Sequence, residues 1–363
     1  MTVVHVDTGR RWRGGQQQVY FLHRELVARG EDSTLVCPAG SPLHRRCAEE
    51  GLPVQGAPGG VLGRWGAWRA LRRVLPGAAI LHVHDSHGLA LGAWAKATGW
   101  PGRLVAHRRV SYRPGRNPLS RWKYAAVDAW IAVSGEVGQA LAEAGVAPER
   151  VRVVPSAIDR EALERGAATV DGSEVRRRWE VPPGSPVVGM CGAFSPQKGH
   201  RVLLDAVPRV LAVHPEVVFV LVGEGELRRA AAVRARALGI EGAIRLPGFE
   251  PEAAALTALF AVAVVPSVDG EGSSAAIKEA MALGVPAVVS DLPGNREVVG
   301  EAGVVVPRGR PEPLAQAIVG LLGNPQRRRA LGEKGKDRAE VFSVDAMADG
   351  VLAAYRAAGG AGR

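Results

Sequence analysis

Short apolar runs alternate with amphipathic stretches along the chain, and the alternation starts twice. Thr2–Val6 reads as a strand ending at Asp7. A glycine-rich turn follows, and Gln16–Arg29 then places Val19, Leu22 and Leu26 on one helical face before stopping at Gly30. Further apolar runs fall at Ser33–Cys37, Ala79–Val83, Arg103–Ala106, Ala129–Val133 and Val151–Val154, with helical stretches between most of them. Strands separated by helices predict a parallel sheet covered on both faces.

The pattern restarts after the charged stretch Glu161–Trp179 and the turn-rich Val181–Pro186. Strand candidates then recur at Val187–Met190, Val217–Val222, Ala243–Leu246, Ala261–Val265, Ala287–Ser290 and Gly303–Val306. Arg201–Val213 and Ser273–Leu283 are two of the helices between them. The expected fold is α/β, with two doubly wound Rossmann-like domains facing a cleft. The boundary is set at residues 1–160 and 161–363, and the last helix is expected to pack back on the N-terminal domain. In open parallel sheets a ligand sits at the carboxyl ends of strands, against helix N-termini, so useful motifs should fall in strand-to-helix turns.

Composition narrows the class. At 363 residues the length suits about two domains. With 47% apolar and 23% charged residues, wholesale disorder is excluded. The nearly unbroken apolar run Ala253–Val265 spans 13 residues, short of the roughly 20 that cross a bilayer. Met1–Asp7 has no basic region ahead of an apolar run, so no secretory leader is expected. Cys37, Cys47 and Cys191 are too scattered for a disulfide or zinc framework and read as packing thiols, which fits a cytoplasmic location. The formal charge of +10 is uneven. Met1–Ala157 holds 21 Lys/Arg against 11 Asp/Glu, and the remainder holds 25 of each. That asymmetry points the first half toward an anionic partner such as a membrane surface, a phosphorylated lipid or nucleic acid.

Four segments carry candidate chemistry. In Val265–Ala282 a strand ends, a Gly/Ser-rich turn follows, and an alanine-rich helix begins near Ser273. Free backbone N–H groups at that helix start suit a phosphate or sugar hydroxyls. Glu271 and Glu279, eight residues apart, are carboxylates able to grip two polyol groups of one ligand. In Gly189–His200 a strand opens into a loop delivering Lys198 and Gly199 to a helix start, where a flexible point charge suits a leaving diphosphate. Gly14 and Gly15, in the turn after the first strand, permit close backbone approach to a ligand. This segment matches neither G-x-G-x-x-G nor a P-loop. In Arg103–Arg116 a strand ends at His107, followed by the basic cluster Arg108, Arg109, Arg113 and Arg116. Arg121, Trp122, Lys123 and Tyr124 continue it, and interleaved aromatics suit an anionic headgroup at a membrane interface. His82, His84 and His87 have a metal-like look, but His82 and His84 share one face of a strand, and no metal site is expected.

The segment Glu271–Ala282 resembles the E-G-x-x-x-x-x-x-E-A-M-A signature of the retaining glycosyltransferases of family 4 (glycosyl transferases group 1), which have the GT-B fold. The resemblance runs from Gly14 to the late helices, through Pro155–Asp159, Gly284–Pro286 and Ser290–Glu297. It implies that Glu271 contacts the donor sugar, that Glu279 holds the nucleotide ribose, and that the amides of Gly272, Ser273 and Ser274 lie near the diphosphate. It further places Gly14 and Gly15 near the donor phosphate, His107 against the donor sugar, and Glu224 and Phe249 near the base. Family members commonly read G-R-[LF]-x-x-x-K-G where this chain has Gly192-Ala193-Phe194 and then Lys198-Gly199. Ala193 thus replaces the arginine that shares the pyrophosphate with the lysine, and Arg108 or Arg109 is the suggested substitute. The implied activity is transfer from a nucleotide-diphosphate sugar with retention, needing no cofactor or metal. The acceptor is expected to be anionic or lipid-linked, as in cell-envelope and lipopolysaccharide synthesis, with the protein peripheral at the inner membrane face. A nucleotide-sugar epimerase of the same fold and a basic nucleic-acid-binding protein are the alternatives. The second leaves the glutamate pair unexplained, so no nucleic-acid partner is expected.

Overall fold

The computed structural model describes residues 1–58, 63–110, 115 and 117–360. Two compact units emerge, one formed by Met1–Ala157 with Val344–Arg363 and the other by Ile158–Ser343. The division falls at Ala157/Ile158, three residues before the position read from the sequence. The chain returns to the first unit at Val344.

The first unit runs β1 (Thr2–Val6), α1 (Gly14–Ala28), β2 (Asp32–Pro38), α2 (Pro42–Glu49), β3 (Val54–Ala57), α3 (Gly63–Val74), β4 (Ile80–Val83), α4 (Ser86–Ala97), β5 (Arg103–Arg108), α5 (Pro118–Ala125), β6 (Ala129–Ala132), α6 (Gly135–Glu143) and β7 (Val151–Val153). Its seven strands pair in parallel in the order β3-β2-β1-β4-β5-β6-β7. Strand alternation sorts the side chains onto two cores. Val4, Val36, Leu81 and Leu104 pack with Leu71 of α3 and Leu141 of α6. On the other face Val3, Leu35 and Ile131 pack with Leu22 of α1.

The second unit runs α7 (Arg160–Thr169), α8 (Gly172–Arg178), β8 (Val187–Cys191), α9 (His200–Leu211), β9 (Val218–Val222), α10 (Arg228–Ala237), β10 (Ile244–Gly248), α11 (Ala253–Leu256), β11 (Val262–Val265), α12 (Ala275–Ala282), β12 (Ala287–Ser290), α13 (Pro293–Val299), β13 (Gly303–Val306), α14 (Pro311–Leu322) and α15 (Pro325–Ala339). Its six parallel strands are ordered β10-β9-β8-β11-β12-β13. The final helix, α16 (Val344–Gly360), adds Val351 and Tyr355 to the α1-side core of the first unit.

Three local readings shift. β3 went unread because its four residues, Val-Gln-Gly-Ala, hold a single β-branched side chain. The charged stretch after residue 160 forms α7 and α8, each capped at its N-terminus by an aspartate side chain, Asp159 and Asp171. The apolar run from Ala253 breaks into α11, a 3₁₀ turn and β11. No helix among the described residues is long and apolar enough to cross a membrane.

Candidate functional site

In each sheet the strand order reverses once, and the loops leaving the two strands at that point enclose a crevice at their carboxyl ends. In the second unit these strands are β8 and β11. The loop after β8 carries Lys198, and the loop after β11 carries Glu271. Three contacts bring the loops together. Val268 N–H donates to the Gln197 carbonyl at 2.8 Å. Gly199 turns with φ of 75° and lies so close to Pro266 that a Cβ there would meet its carbonyl oxygen at 2.0 Å. Finally, Lys198 Nζ donates to Glu271 Oε1 at 2.6 Å. Two side chains 73 residues apart thus form one ion pair, with Glu271 buried and Lys198 partly open to water.

A buried chain of hydrogen bonds holds Glu271 from below. Asn295 Nδ2 donates to Ser290 Oγ at 3.0 Å, Ser290 Oγ donates to the Ser267 carbonyl at 2.6 Å, and Ser267 Oγ donates to Glu271 Oε1 at 2.7 Å. Sequence reading takes in these three residues only within longer segments and gives none of them a role, because none lies in a recognisable spacing with Glu271. Gly294, at the start of α13, completes the support: a Cβ there would sit 2.1 Å from the Glu271 carbonyl oxygen. The obstacle is backbone, so it cannot rotate away. Gly294→Ala is therefore expected to cost about 1–3 kcal/mol of stability through overpacking, read as a lower denaturation midpoint at unchanged m-value.

Ser274 is the N-cap of α12 with no side-chain hydrogen bond of its own, and the helix starts at Ala275, two residues later than expected. The opening N–H groups of such a helix have no partner within it. Gly272 and Ser274 are buried beside Glu271, and Ser273 is partly exposed. Glu279 lies on α12, where the surrounding protein raises its pKa to about 7, partly offset by Lys278. The sequence pattern also overlooked Lys278. It is fully buried, donates to Ser273 Oγ at 2.6 Å and lies 4.8 Å from the centre of the Phe342 ring. Burial pushes its pKa down to about 7 against the pull of Glu279 and Glu297. A lysine among alanines and Ile277 reads as a solvent-facing residue until the packing is seen. Glu224 and Phe249 are exposed just beyond β9 and β10. Their loops are joined by Gly223 N–H donating to the Gly248 carbonyl at 2.8 Å. Ala193 offers no cation in the loop after β8.

In the first unit the reversal lies between β1 and β4. The register places His5 beside His82, and His84 follows at the end of β4. His5 Nδ1 and His84 Nε2 share a hydrogen bond of 3.0 Å, and His82 Nδ1 lies 2.6 Å from the Tyr355 hydroxyl. Arg109, just past β5, donates to Nδ1 of His84 at 3.1 Å and of His107 at 3.2 Å. His107 stacks on His82 with ring centres 5.5 Å apart. Burial foremost, and the guanidinium of Arg109, hold these imidazoles in the neutral form. Burial in turn lowers the Arg109 pKa to about 10, with Asp7 and Asp85 opposing. His5, His82 and His84 bring ring nitrogens within 4.8 Å of one another, whereas His87 is exposed. A cation there would displace the His5–His84 hydrogen bond and sit beside a guanidinium, an arrangement that disfavours metal.

Gly14 and Gly15 open α1, and a Cβ on either would meet nothing within 4 Å. The fold itself does not demand glycine there, so any requirement comes from outside the chain. Arg108 ends β5, and its carbonyl accepts from Val133 N–H at 3.2 Å. Arg113 and Arg116 lie outside the described residues. The candidate residues therefore form two groups, one in each unit.

Comparison with known proteins bears on both groups. The Glycosyltransferase Family 4 domain matches residues 12–162, and the Glycosyl transferases group 1 domain matches residues 185–324. The chain is 32% identical to D-inositol 3-phosphate glycosyltransferase of Segniliparus rotundus, over 58% of this chain and 48% of that protein. It is 34% identical to phosphatidyl-myo-inositol mannosyltransferase of Mycobacterium leprae, over 44% of this chain and 43% of that one. The matches thus span about half the length of these relatives. The crystal structure of Anabaena HepE (Alr3699) in complex with UDP shares the fold, with a TM-score of 0.84 at 19% identity over 97% of this chain and 99% of that one. Two parallel-sheet domains of seven and six strands, matched in turn by these two domain families, make this chain a member of the group 1, family 4 glycosyltransferases with the GT-B fold.

Proposed function

We propose that this protein is a retaining glycosyltransferase that moves a sugar from a nucleoside-diphosphate sugar to an acceptor hydroxyl. The carrying observation is the Lys198–Glu271 pair at the β8/β11 reversal, beside the N-terminus of α12. A carboxylate accepts hydrogen bonds from sugar hydroxyls, and an ammonium has three protons, of which Glu271 takes one. The other two face a diphosphate without the ion pair having to break. The amides of Gly272, Ser273 and Ser274 and the α12 dipole complete an anion site. Glu279 takes the ribose hydroxyls, and Glu224 and Phe249 lie toward the base. Gly14 and Gly15, with open space where a Cβ would sit, leave room for a ligand at the start of α1.

In this reading protein groups orient the donor and stabilise charge on the departing diphosphate, and the leaving phosphate oxygen accepts the acceptor's proton on the same face. His107, held neutral by burial, orients hydroxyls and carries no charge. Arg109 is engaged with His84 and His107, so Lys278 is the better substitute for the arginine replaced by Ala193. It lies beneath the diphosphate turn through Ser273. Lys278→Met is expected to separate two quantities. The burial cost of this ammonium, net of the pull from Glu279 and Glu297, is removed, so stability at pH 7 rises on the order of a few kcal/mol. Affinity for a nucleoside diphosphate falls about tenfold from the lost cation. The sign with pH follows from the folded pKa lying below the unfolded one. The cost of the buried charge is fully present below about 7 and is relieved as pH rises toward the ordinary lysine value. The variant's stability advantage therefore shrinks between pH 7 and 10, as paired denaturation curves would measure.

The acceptor is read as anionic or lipid-linked, supported by the +10 balance of Met1–Ala157 and by relatives named for inositol phosphate and phosphatidyl-inositol. The same charge supports a peripheral position on the cytoplasmic membrane face. UDP, bound in HepE, is the first nucleotide to try. The reading is tested by NMR of slow donor turnover without acceptor. Release of free sugar with its anomeric configuration kept supports a retaining transferase. An inverted sugar, or a nucleotide sugar epimerised intact, overturns it.

A further inference from the structure

A cavity of about 1150 Å³ opens in the first unit over the carboxyl ends of β1, β2 and β3. Sites for drug-sized ligands run to about 300–1,000 Å³, so this one exceeds what a single sugar ring fills. Its floor is apolar, with Val36 of β2 and Ala57 of β3. Its walls come from three helices: Trp65 on α3, Trp94 on α4, and Leu119 and Trp122 on α5. These four side chains are exposed, Trp65 by 65% and Leu119 by 63%. With Trp68, four of the chain's 8 tryptophans line this one cavity. Large apolar side chains converging on a concave, solvent-facing surface mark a binding site. Polar groups share the lining. Arg10 and Lys123 supply two cations, and the Asp7 carboxylate is turned onto Gln16 and the Gly9 N–H. Apolar walls with cations beside them are complementary to an anionic amphiphile.

We propose that this cavity binds the hydrocarbon chain of an anionic amphiphile, an alkyl or prenyl phosphate in chemistry, with its headgroup toward Arg10 and Lys123. The inference deepens the transferase reading and rests on it in one respect: that reading makes the amphiphile the acceptor. It separates a lipid acceptor from a free inositol phosphate, since only the former uses the tryptophan walls. Arg10 and Lys123 hold the charge, and the tryptophans set affinity by chain length.

The test is intrinsic tryptophan fluorescence of the full-length protein, titrated with an alkyl phosphate series kept below micelle-forming concentrations. Saturable binding is expected, tightening about fourfold per added methylene until the cavity is filled. Inorganic phosphate produces no response, and the matching alcohol binds at least tenfold more weakly. Trp94→Ala weakens the whole series. The Arg10→Ala/Lys123→Ala pair, one exposed and one half-buried position, weakens the phosphates and leaves the alcohols unaltered. Binding without chain-length dependence overturns the proposal. So does a response confined to vesicles of anionic lipid, which would make the tryptophans a docking surface for the bilayer. UDP titration of the same samples keeps the two readings apart. If UDP binds and the alkyl phosphates do not, the cavity inference fails alone. If the alkyl phosphates bind and no nucleotide does, the donor site fails and the cavity stands.

Discussion

Glu271→Ala is expected to lower sugar transfer about a thousandfold, with the fold intact. The size follows from what one carboxylate does. It accepts from Lys198 at 2.6 Å and Ser267 at 2.7 Å through the same oxygen, leaving the other, in the proposed reading, to grip the donor sugar. Removal loosens the cation and the sugar at once, and preorganised groups at a site of developing charge are each worth about 10²–10³ in rate. The loss should appear in kcat, because the contacts matter most as the sugar–phosphate bond breaks. Glu279→Ala behaves differently. A ribose contact is the same in ground and transition states, so the donor KM rises while kcat changes little. Lys198 does not strand a buried charge in Glu271→Ala, since its side chain is partly open to water. The variant should therefore melt within a few degrees of the parent, and a collapsed melting curve would disqualify it as evidence.

Lys198→Ala is expected to cost about 10²–10³ in kcat for the same reason viewed from the other side of the pair. With Ala193 in the neighbouring position, the loop after β8 holds no second cation to take up the charge on the leaving diphosphate. Lys198→Arg should recover little, because Nζ approaches Glu271 as a compact ammonium and a planar fork needs more room. Coupling is the sharper readout. If the two side chains act as a unit, the double variant Lys198→Ala/Glu271→Ala is scarcely slower than the worse single variant. Multiplicative losses would mean that the ion pair is incidental to the chemistry.

The sequence carried the architecture where local chemistry is strong. Strand-to-helix alternation located the parallel sheets, and reading motifs as strand-to-helix turns placed Lys198 and Glu271 before their contact was known. What stayed hidden depends on distant parts of the chain. The Asn295–Ser290–Ser267 support joins three ordinary polar residues whose ends are 28 positions apart. Lys278 has the local surroundings of a surface lysine, and only Ser273 and Phe342 closing over it make it a buried cation. His5 looks like one polar interruption in an apolar strand, yet it pairs with His84, 79 residues on. The tryptophan-lined cavity draws on α3, α4 and α5, whose aromatics share no period along the chain. Gly14 and Gly15 mark the opposite case: the motif was visible, but the packing gives glycine no internal reason to be there.

The donor site itself is tested most directly by calorimetric titration of the full-length protein with nucleoside diphosphates and their sugars. Saturable binding of at least one nucleoside-diphosphate sugar is predicted, weakened about tenfold or more in Lys198→Ala/Glu271→Ala, a smaller loss than in kcat. At a hundredfold excess over Kd that ligand should also stabilise the parent by about 2.7 kcal/mol. Binding that is the same in the double variant, or no binding of any nucleoside diphosphate or its sugar, would contradict a donor site built on Lys198 and Glu271.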